Sequence, residues 1–329
     1  SGNANAATGE QGRSDALRMC GLTAESIGCA LTDVLVCQTG LIGIPMPMDP
    51  VEAGIPKLGS QLRADAVGGR AAADAMLTTD TVRKETVHTV ALSGGVTATV
   101  GGMAKGAAML SPAMATMLAV ITTDAAVQAD ALQSMLTSAV NESFNALVVD
   151  GCRSTNDTVL VLANGSIGNE PITRASGAAL QALSDALTAA CADLAYQMAA
   201  DAEGATKLAR IVVRGAFSAE DARLAARTVA ASQLVQCSLY GKDPYWGRVL
   251  SEVGASGAVF DPERVDISYN GVTVCRDGIA AAHDTTVVAA SMEGRHIEIV
   301  CDLRSGDGEA AVLFTDLTHA YVDENMGTS

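Results

Sequence analysis

Thr116 directly follows the small residue Ala115 inside the apolar run Met114-Ala-Thr-Met-Leu-Ala-Val-Ile121, a short way beyond Lys105. If the Ala115–Thr116 bond were cut, Thr116 would become an N-terminal residue with a free α-amino group beside its own hydroxyl. A threonine hydroxyl is too weakly acidic to attack an amide unaided, and an N-terminal amine can take its proton without a histidine. On spacing alone the same run also suits a buried helix face of Ala, Thr and Met. Four further segments place reactive or turn-forming residues where neither a helix nor a strand needs them. They are Gln38-Thr39-Gly40-Leu-Ile-Gly43, Thr78-Thr79-Asp80-Thr81 followed by Lys84, Glu203-Gly204-Ala-Thr-Lys207, and Tyr240-Gly-Lys-Asp-Pro-Tyr-Trp-Gly247-Arg248. Each by itself reads as a turn or a cap.

Other chemistries find less support. The four histidines (88, 283, 296, 319) have no helix-spaced partners, and the eight cysteines are scattered with no C-x-x-C pair. Neither a Ser-His-Asp enzyme nor a metal site is expected, and the thiols suit a reducing cytosol. Gly101-Gly102-Met-Ala-Lys105-Gly106 lacks the spacing of a phosphate-binding loop and the hydroxyl residue after its lysine. The net charge of −16 argues against nucleic acid and anionic membrane as partners. No apolar run approaches the roughly 18 to 20 residues of a membrane span, and the polar start Ser1-Gly-Asn-Ala-Asn-Ala is no signal peptide. A freely diffusing cytoplasmic protein without cofactor or metal is expected.

The elements that must position these residues follow from pattern. Apolar residues make up 49% of the chain and aromatics 3%, so the core is packed by aliphatic side chains. Residues 9–30 read as a helix leading into a strand over 33–38, and residues 48–77 as one or two Ala-rich helices. Residues 86–92 and 96–100 alternate about Ser93-Gly94-Gly95, a hairpin signal. Residues 127–147 and 177–200 read as strong helices. Strands are expected over 159–163, 208–214, 265–268, 271–275, 296–303 and 310–315. Helix and strand alternate without a strict βαβ cadence, which implies mixed sheets with helices outside.

Taken in order around Ala115-Thr116, the four segments closely resemble the ornithine acetyltransferase family, the bifunctional glutamate N-acetyltransferases of arginine biosynthesis. The resemblance runs from the first residues to Asp316-Leu-Thr-His-Ala-Tyr-Val-Asp-Glu-Asn325, and Met-Ala-Thr-Met-Leu is its most specific block. It implies an α/β fold of four layers, α/β/β/α with mixed sheets, shared with a group of self-processing aminopeptidases. It also implies a precursor cut between Ala115 and Thr116 into an α chain (1–115) and a β chain (116–329), assembled as a heterotetramer of two αβ pairs. Family members carry several dozen residues ahead of the Ser-Gly-Asn-Ala-Asn-Ala segment, so N-terminal residues or strands of the family pattern are expected to be missing here. The chain also departs from that pattern at Ser111-Pro-Ala-Met114, for His-Pro-Asn-Met, and at Tyr245, for an Asn.

The implied activity is a ping-pong transfer, in which Thr116 takes an acetyl group from N-acetylornithine, releases ornithine and passes the acetyl group to glutamate. Thr39 and Gly40 would be the oxyanion donors, with Glu203 also in a catalytic role. The ligand contacts would be Thr79, Lys105, Thr116, Glu203, Asn325 and, at the tail, Ser329 or its neighbour Thr328. Acetyl-CoA stays open as a further donor, and a specialised amino acid as the acceptor. The chemistry is coherent with the residues, since Lys105 can meet an α-carboxylate while Glu203 can hold an ammonium group or shuttle a proton. An amide hydrolase or aminopeptidase of the same fold would differ only in letting water resolve the acyl-enzyme. A catalytically silent acidic binding protein would stay uncut.

Overall fold

The computed structural model describes residues 2–109 and 117–327. In chain order the elements are β1 (Gly2–Asn3), α1 (Gly9–Ile27), β2 (Gly40–Leu41), α2 (Met48–Gly59), α3 (Ala66–Met76), β3 (Lys84–Ala91), β4 (Thr97–Lys105), β5 (Leu118–Thr123), α4 (Ala129–Glu142), β6 (Leu147–Val148), β7 (Thr158–Ala163) and α5 (Gly177–Ala200). There follow β8 (Leu208–Ala216), α6 (Ala219–Ala231), α7 (Gln233–Tyr240), α8 (Trp246–Ala255), β9 (Asp266–Tyr269), β10 (Val272–Arg276), β11 (Ile279–Ala280), α9 (Thr285–Ser291), β12 (His296–Asp302), β13 (Gly308–Thr315) and α10 (His319–Glu324). Ala115, Thr116, Thr328 and Ser329 lie outside the described residues.

Two mixed sheets organise the chain. The smaller has the order β3-β4-β5-β7, with β3, β4 and β5 antiparallel and β7 parallel to β5. Helix α5 lies on β3 and β4 and is flanked by α4. It presents Leu183, Leu187, Ala190, Cys191, Leu194, Ala195 and Met198, spaced three and four apart as a buried helix face requires. Gly102 on β4 makes room for it, since a β carbon there would stand 3.1 Å from Leu194 Cδ1. The larger sheet has the order β11-β10-β9-β12-β8-β13-β6. Its apolar face shares a core with α6, α7 and α8, and the fully buried Ala222, Ala225, Ala226 and Ala230 let α6 approach β8 and β13 closely. Both helix-on-sheet pairs belong to the expected α/β layering with mixed sheets.

The structure adds helices α6, α7, α8 and α10, which pattern did not mark, and differs from the expected assignments at three stretches. Residues 34–39 form no strand, because Leu35 and Val36 are exposed and no neighbour among the described residues pairs with them. The helix expected over 127–147 ends at Glu142, and Leu147–Val148 instead pair in parallel with β13 at Leu313 and Phe314. The apolar run after Thr116 is strand β5 rather than a helix, its β-branched Val120, Ile121, Thr122 and Thr123 suiting the pleat. Among the described residues, no helix is long and apolar enough to cross a membrane.

Candidate active site

Lys105 closes β4, and the β4–β5 register sets it opposite Leu118, two residues beyond Thr116. A buried charge cluster holds it. Lys84, fully buried at the start of β3, donates to Asp80 Oδ1 at 2.6 Å and to Asp201 Oδ2 at 2.5 Å. Asp80 also accepts the Gly106 N–H at 2.7 Å, and its other oxygen faces Lys105 Nζ at 3.4 Å. Lys105 Nζ donates to the Thr78 hydroxyl at 2.6 Å. Two lysines and two aspartates therefore neutralise one another out of water, which is the condition for burying charge at all. Burial pushes the Asp80 carboxyl up, but Lys105, Lys84 and the Gly106 N–H outweigh it and hold it below the usual carboxylate range. The Lys105 ammonium is lowered, because burial acts on it more strongly than the attraction of Asp80 and Glu203. An ammonium has three donors; Thr78 and Asp80 engage two of them, and the third suits a ligand carboxylate.

Glu203 sits in the turn after α5, buried, with its N–H on Ala107 O at 2.9 Å. That bond ties the turn to the segment leaving β4. The side-chain amide of Asn325 donates to Glu203 Oε2 at 2.8 Å and to Tyr321 O at 2.9 Å. Gly204 makes this meeting possible. Its φ is +63°, and a β carbon there would stand 2.3 Å from the backbone nitrogen of Tyr321 in α10. The Thr318 hydroxyl caps α10 at Tyr321 N–H and donates to Gly204 O at 2.7 Å. A cleft of about 200 Å³ opens beside the pair, lined by Thr79, Thr81, Asp201, Glu203 and Glu324 among others. Gly204→Ala is expected to push α10 off the turn and to cost more than ~1 kcal/mol, since alanine resists positive φ and has no space. Urea unfolding measures this, and a variant as stable as the wild type would show that α10 docks independently of the glycine.

Thr39 and Gly40 are reached by a relay. Thr39 is buried, and Gly40, at φ +139°, pairs in parallel with Gly2 so closely that a β carbon would lie 2.0 Å from the Gly2 carbonyl carbon. Ala4 N–H donates to Leu41 O at 2.9 Å, and the Asn156 side-chain amide donates to Ala4 O. Asp157, the next residue, accepts the Met117 N–H at 2.9 Å. The 39–41 segment, the 156–158 segment and the residue after Thr116 are thus linked in one chain of hydrogen bonds. The structure therefore gathers Lys105, Glu203, Asn325 and Thr79 at one end of the small sheet and ties Thr39 and Gly40 to Met117 at that sheet's start.

Several residues of this region have no counterpart among the sequence-based site assignments. Thr78, rather than Thr79, bonds to Lys105. Asp80 and Lys84 stand in the polar cluster noted from sequence, whereas their partner Asp201 lies 117 residues beyond Lys84 and carries no local signal. Lys207 is structural, its ammonium bonded to the carbonyls of Met292, Glu293 and Gly294 just beyond α9. The Tyr240–Arg248 segment forms the corner between α7 and α8, where Arg248 bonds to Leu234 O. Among the described residues, no group of three or more His, Cys, Asp or Glu is arranged to hold a metal ion.

Residues 1–327 match the ArgJ family. The chain is similar to the arginine biosynthesis bifunctional protein ArgJ of Symbiobacterium thermophilum, 47% identical over 325 residues that cover 99% of this chain and 80% of that protein. It is 46% identical to the protein of the same name from Mycobacterium leprae over 341 residues, covering 100% of this chain and 79% of the relative. The crystal structure of the arginine biosynthesis bifunctional protein argJ from Bacillus halodurans superposes with a TM-score of 0.60 at 35% identity, covering 63% of this chain and 96% of that one.

Proposed function

The chain belongs to the ArgJ family, the acetyltransferase enzymes of arginine biosynthesis, and from that premise we propose that it moves an acetyl group from N-acetylornithine to glutamate through an acetyl-Thr116 intermediate. Thr116 starts a β chain freed by self-cleavage, and its α-amine takes the hydroxyl proton as Oγ attacks the acetamide carbonyl. The Thr39 hydroxyl and the Gly40 N–H receive the negative charge that develops on the carbonyl oxygen. Ornithine leaves with the proton, and the amine of glutamate attacks the acetyl ester. Lys105 holds the α-carboxylate common to both substrates, Glu203 faces the side-chain ammonium of ornithine, and Asn325, Thr79 and Ser329 complete the contacts. The working enzyme is cytoplasmic and contains two αβ pairs.

The observation that carries this reading is the buried cation at Lys105 with the buried anion at Glu203, set at the sheet end where Leu118 begins β5. A pocket with one fixed charge of each sign suits a zwitterionic amino acid. The unequal coverage of the Bacillus halodurans match also supports a family polypeptide divided in two. The deciding experiment assays acetyl release from N-acetylornithine with and without glutamate. Ornithine release that depends on glutamate and yields N-acetylglutamate is expected, whereas release of free acetate at the same rate without glutamate would make the protein a hydrolase.

The charge reading predicts a change of preference. Glu203→Gln should discriminate against N-acetylornithine relative to uncharged N-acetyl amino acids by about 1.5 to 3 kcal/mol, the scale of a hydrogen bond to a charged group. kcat/KM for both donor types settles it. An equal loss for both would make Glu203 a proton shuttle and not the specificity contact.

A further inference from the structure

Asp157 lies in the segment that enters β7, and its two carboxylate oxygens have unlike surroundings. Oδ1 accepts the Met117 N–H at 2.9 Å, whereas Oδ2 is buried and has no hydrogen-bond partner among the described residues. The segment around it is held firmly. Thr158 N–H donates to Met117 O at 3.0 Å, the Thr158 hydroxyl to Asn156 O at 3.1 Å, and Asn156 N–H to Ser154 Oγ at 3.1 Å. Burying a carboxylate oxygen unpaired is unfavourable, and an orphan of this kind in a native structure asks for a use that repays it, catalysis among them.

One step of the reaction described above lacks a base. In the processed enzyme the α-amine of Thr116 can take the hydroxyl proton. In the uncut chain that nitrogen belongs to the amide about to be broken, and an amide nitrogen is no base. Met117 N is bonded to the carbonyl carbon of Thr116, so Asp157 grips the residue next to the nucleophile with one oxygen and keeps the other free. We propose that Asp157 is the general base for self-cleavage of the Ala115–Thr116 bond, an inference that rests on the Thr116 reading. Its carboxylate takes the Oγ proton as Oγ bonds to the Ala115 carbonyl carbon. The carboxyl group returns that proton to the Thr116 nitrogen as the C–N bond breaks, leaving Ala115 as an ester on Thr116 Oγ and a free amine. Water adds to the ester carbonyl and the Thr116 oxygen leaves as an alcohol, so the products are an Ala115 carboxylate and an N-terminal Thr116. Asp157 ends ionised, as it began, and the new amine serves turnover.

Burial pushes the Asp157 carboxyl up to about 6, against the lowering effect of the Met117 N–H and of the nearby Ser154 hydroxyl, which stands outside hydrogen-bond geometry with Oδ2 and accepts the Asn156 N–H instead. Such a group is ionised at neutral pH yet basic enough to accept a proton. The titratable groups on the adjoining elements are engaged elsewhere. Lys105 is bound to Thr78 and Asp80. Asp150 accepts the N–H groups of Met109 and Cys152 and the Tyr321 hydroxyl. Burial and Asp150 push the Cys152 thiol up, and the charge of Arg153 acts on Arg227. None of these groups figures among the influences on Asp157.

The test uses full-length wild type, Asp157→Asn and Asp157→Ala, with cutting followed by intact mass and denaturing gel. The wild-type rate of cutting is expected to rise with pH and level off above about 6, and Asp157→Asn to cut at least ~100-fold more slowly without that rise. Sodium formate should restore cutting to Asp157→Ala, whose cavity admits a small carboxylate, and not to Asp157→Asn. Either variant cutting at the wild-type rate overturns the proposal. Slow cutting that formate does not rescue and that keeps the wild-type pH profile also overturns it, because it marks a purely structural role. A wild-type chain that never cuts overturns the Thr116 reading first and this inference with it, so the wild type alone separates the two failures.

Discussion

Thr116→Ala is expected to remain a single uncut chain and to transfer no acetyl group. Without the hydroxyl there is neither an oxygen to attack the preceding carbonyl nor a site for the acetyl ester, so both events fail together. Thr116→Ser keeps an oxygen nucleophile and should still be cut. Intact mass and N-terminal sequencing of each protein check this. Recovery of two chains split at Ala115–Thr116 from the alanine variant would sink self-processing, since the cut would then come from another protease.

Removing the Asp80 carboxylate is expected to be nearly as damaging, through stability as well as binding. Lys84 and Lys105 are both buried, and Asp80 is the group they share. Truncating one partner of a buried ion cluster typically costs about 3–5 kcal/mol, because the charges left behind stay out of water. Asp80→Ala should lose stability on that scale and bind N-acetylornithine and glutamate more weakly together. Asp80→Asn keeps the shape and an acceptor for Gly106, and should lose less stability but as much affinity. The same cluster sets a sign for acid unfolding. Asp80 and Asp201 are both held below the usual carboxylate range, so the unfolded chain binds more protons than the folded one at low pH. Their contribution is complete above about pH 4, the unfolded carboxylate value, and is lost as pH falls through their lowered values. Urea midpoints measured from pH 7 down to pH 3 should fall steeply in the wild type and less in Asp80→Ala. Parallel curves would show that the cluster contributes nothing to pH dependence.

What could be read from the sequence was what local pattern encodes. Helix α5 has its observed bounds at Gly177 and Ala200 because its apolar residues recur at helical spacing. The β3–β4 hairpin follows from alternation about Ser93-Gly94-Gly95. Pattern failed where tertiary contact decides. Leu35 and Val36 look like strand residues but find no neighbour to pair with, and Leu147–Val148 look like the end of a helix but are captured by β13. Helices α6, α7, α8 and α10 were not anticipated. In α6 the buried stripe is alanine but for Val229, and alanine carries little hydropathy contrast. In the site, Lys105, Glu203 and Asn325 could be picked out by their place in a recognisable order of motifs. Asp201 and Asp157 could not, because the first acquires meaning only when α5 brings it to Lys84, and the second only when burial strips one oxygen of partners.

The antiparallel register of β4 with β5, Val100 to Lys105 against Thr123 to Leu118, has a consequence for refolding. The proposed cut at 115–116 would fall in the connection between these two strands, and their ladder would then change from a hairpin within one polymer into the seam between two. Before the cut, the strands search for each other as tethered ends, at a closure cost that grows only slowly with loop length. Afterwards the search is a bimolecular encounter that depends on concentration, and it includes re-seating α5 from one fragment across β3 and β4 of the other. The native assembly would then be a product of history, reached easily by the uncut chain and slowly by its own separated pieces. Heating past the transition and cooling should return full signal for uncut Thr116→Ala at any dilution, and a recovery that falls with dilution for the processed enzyme.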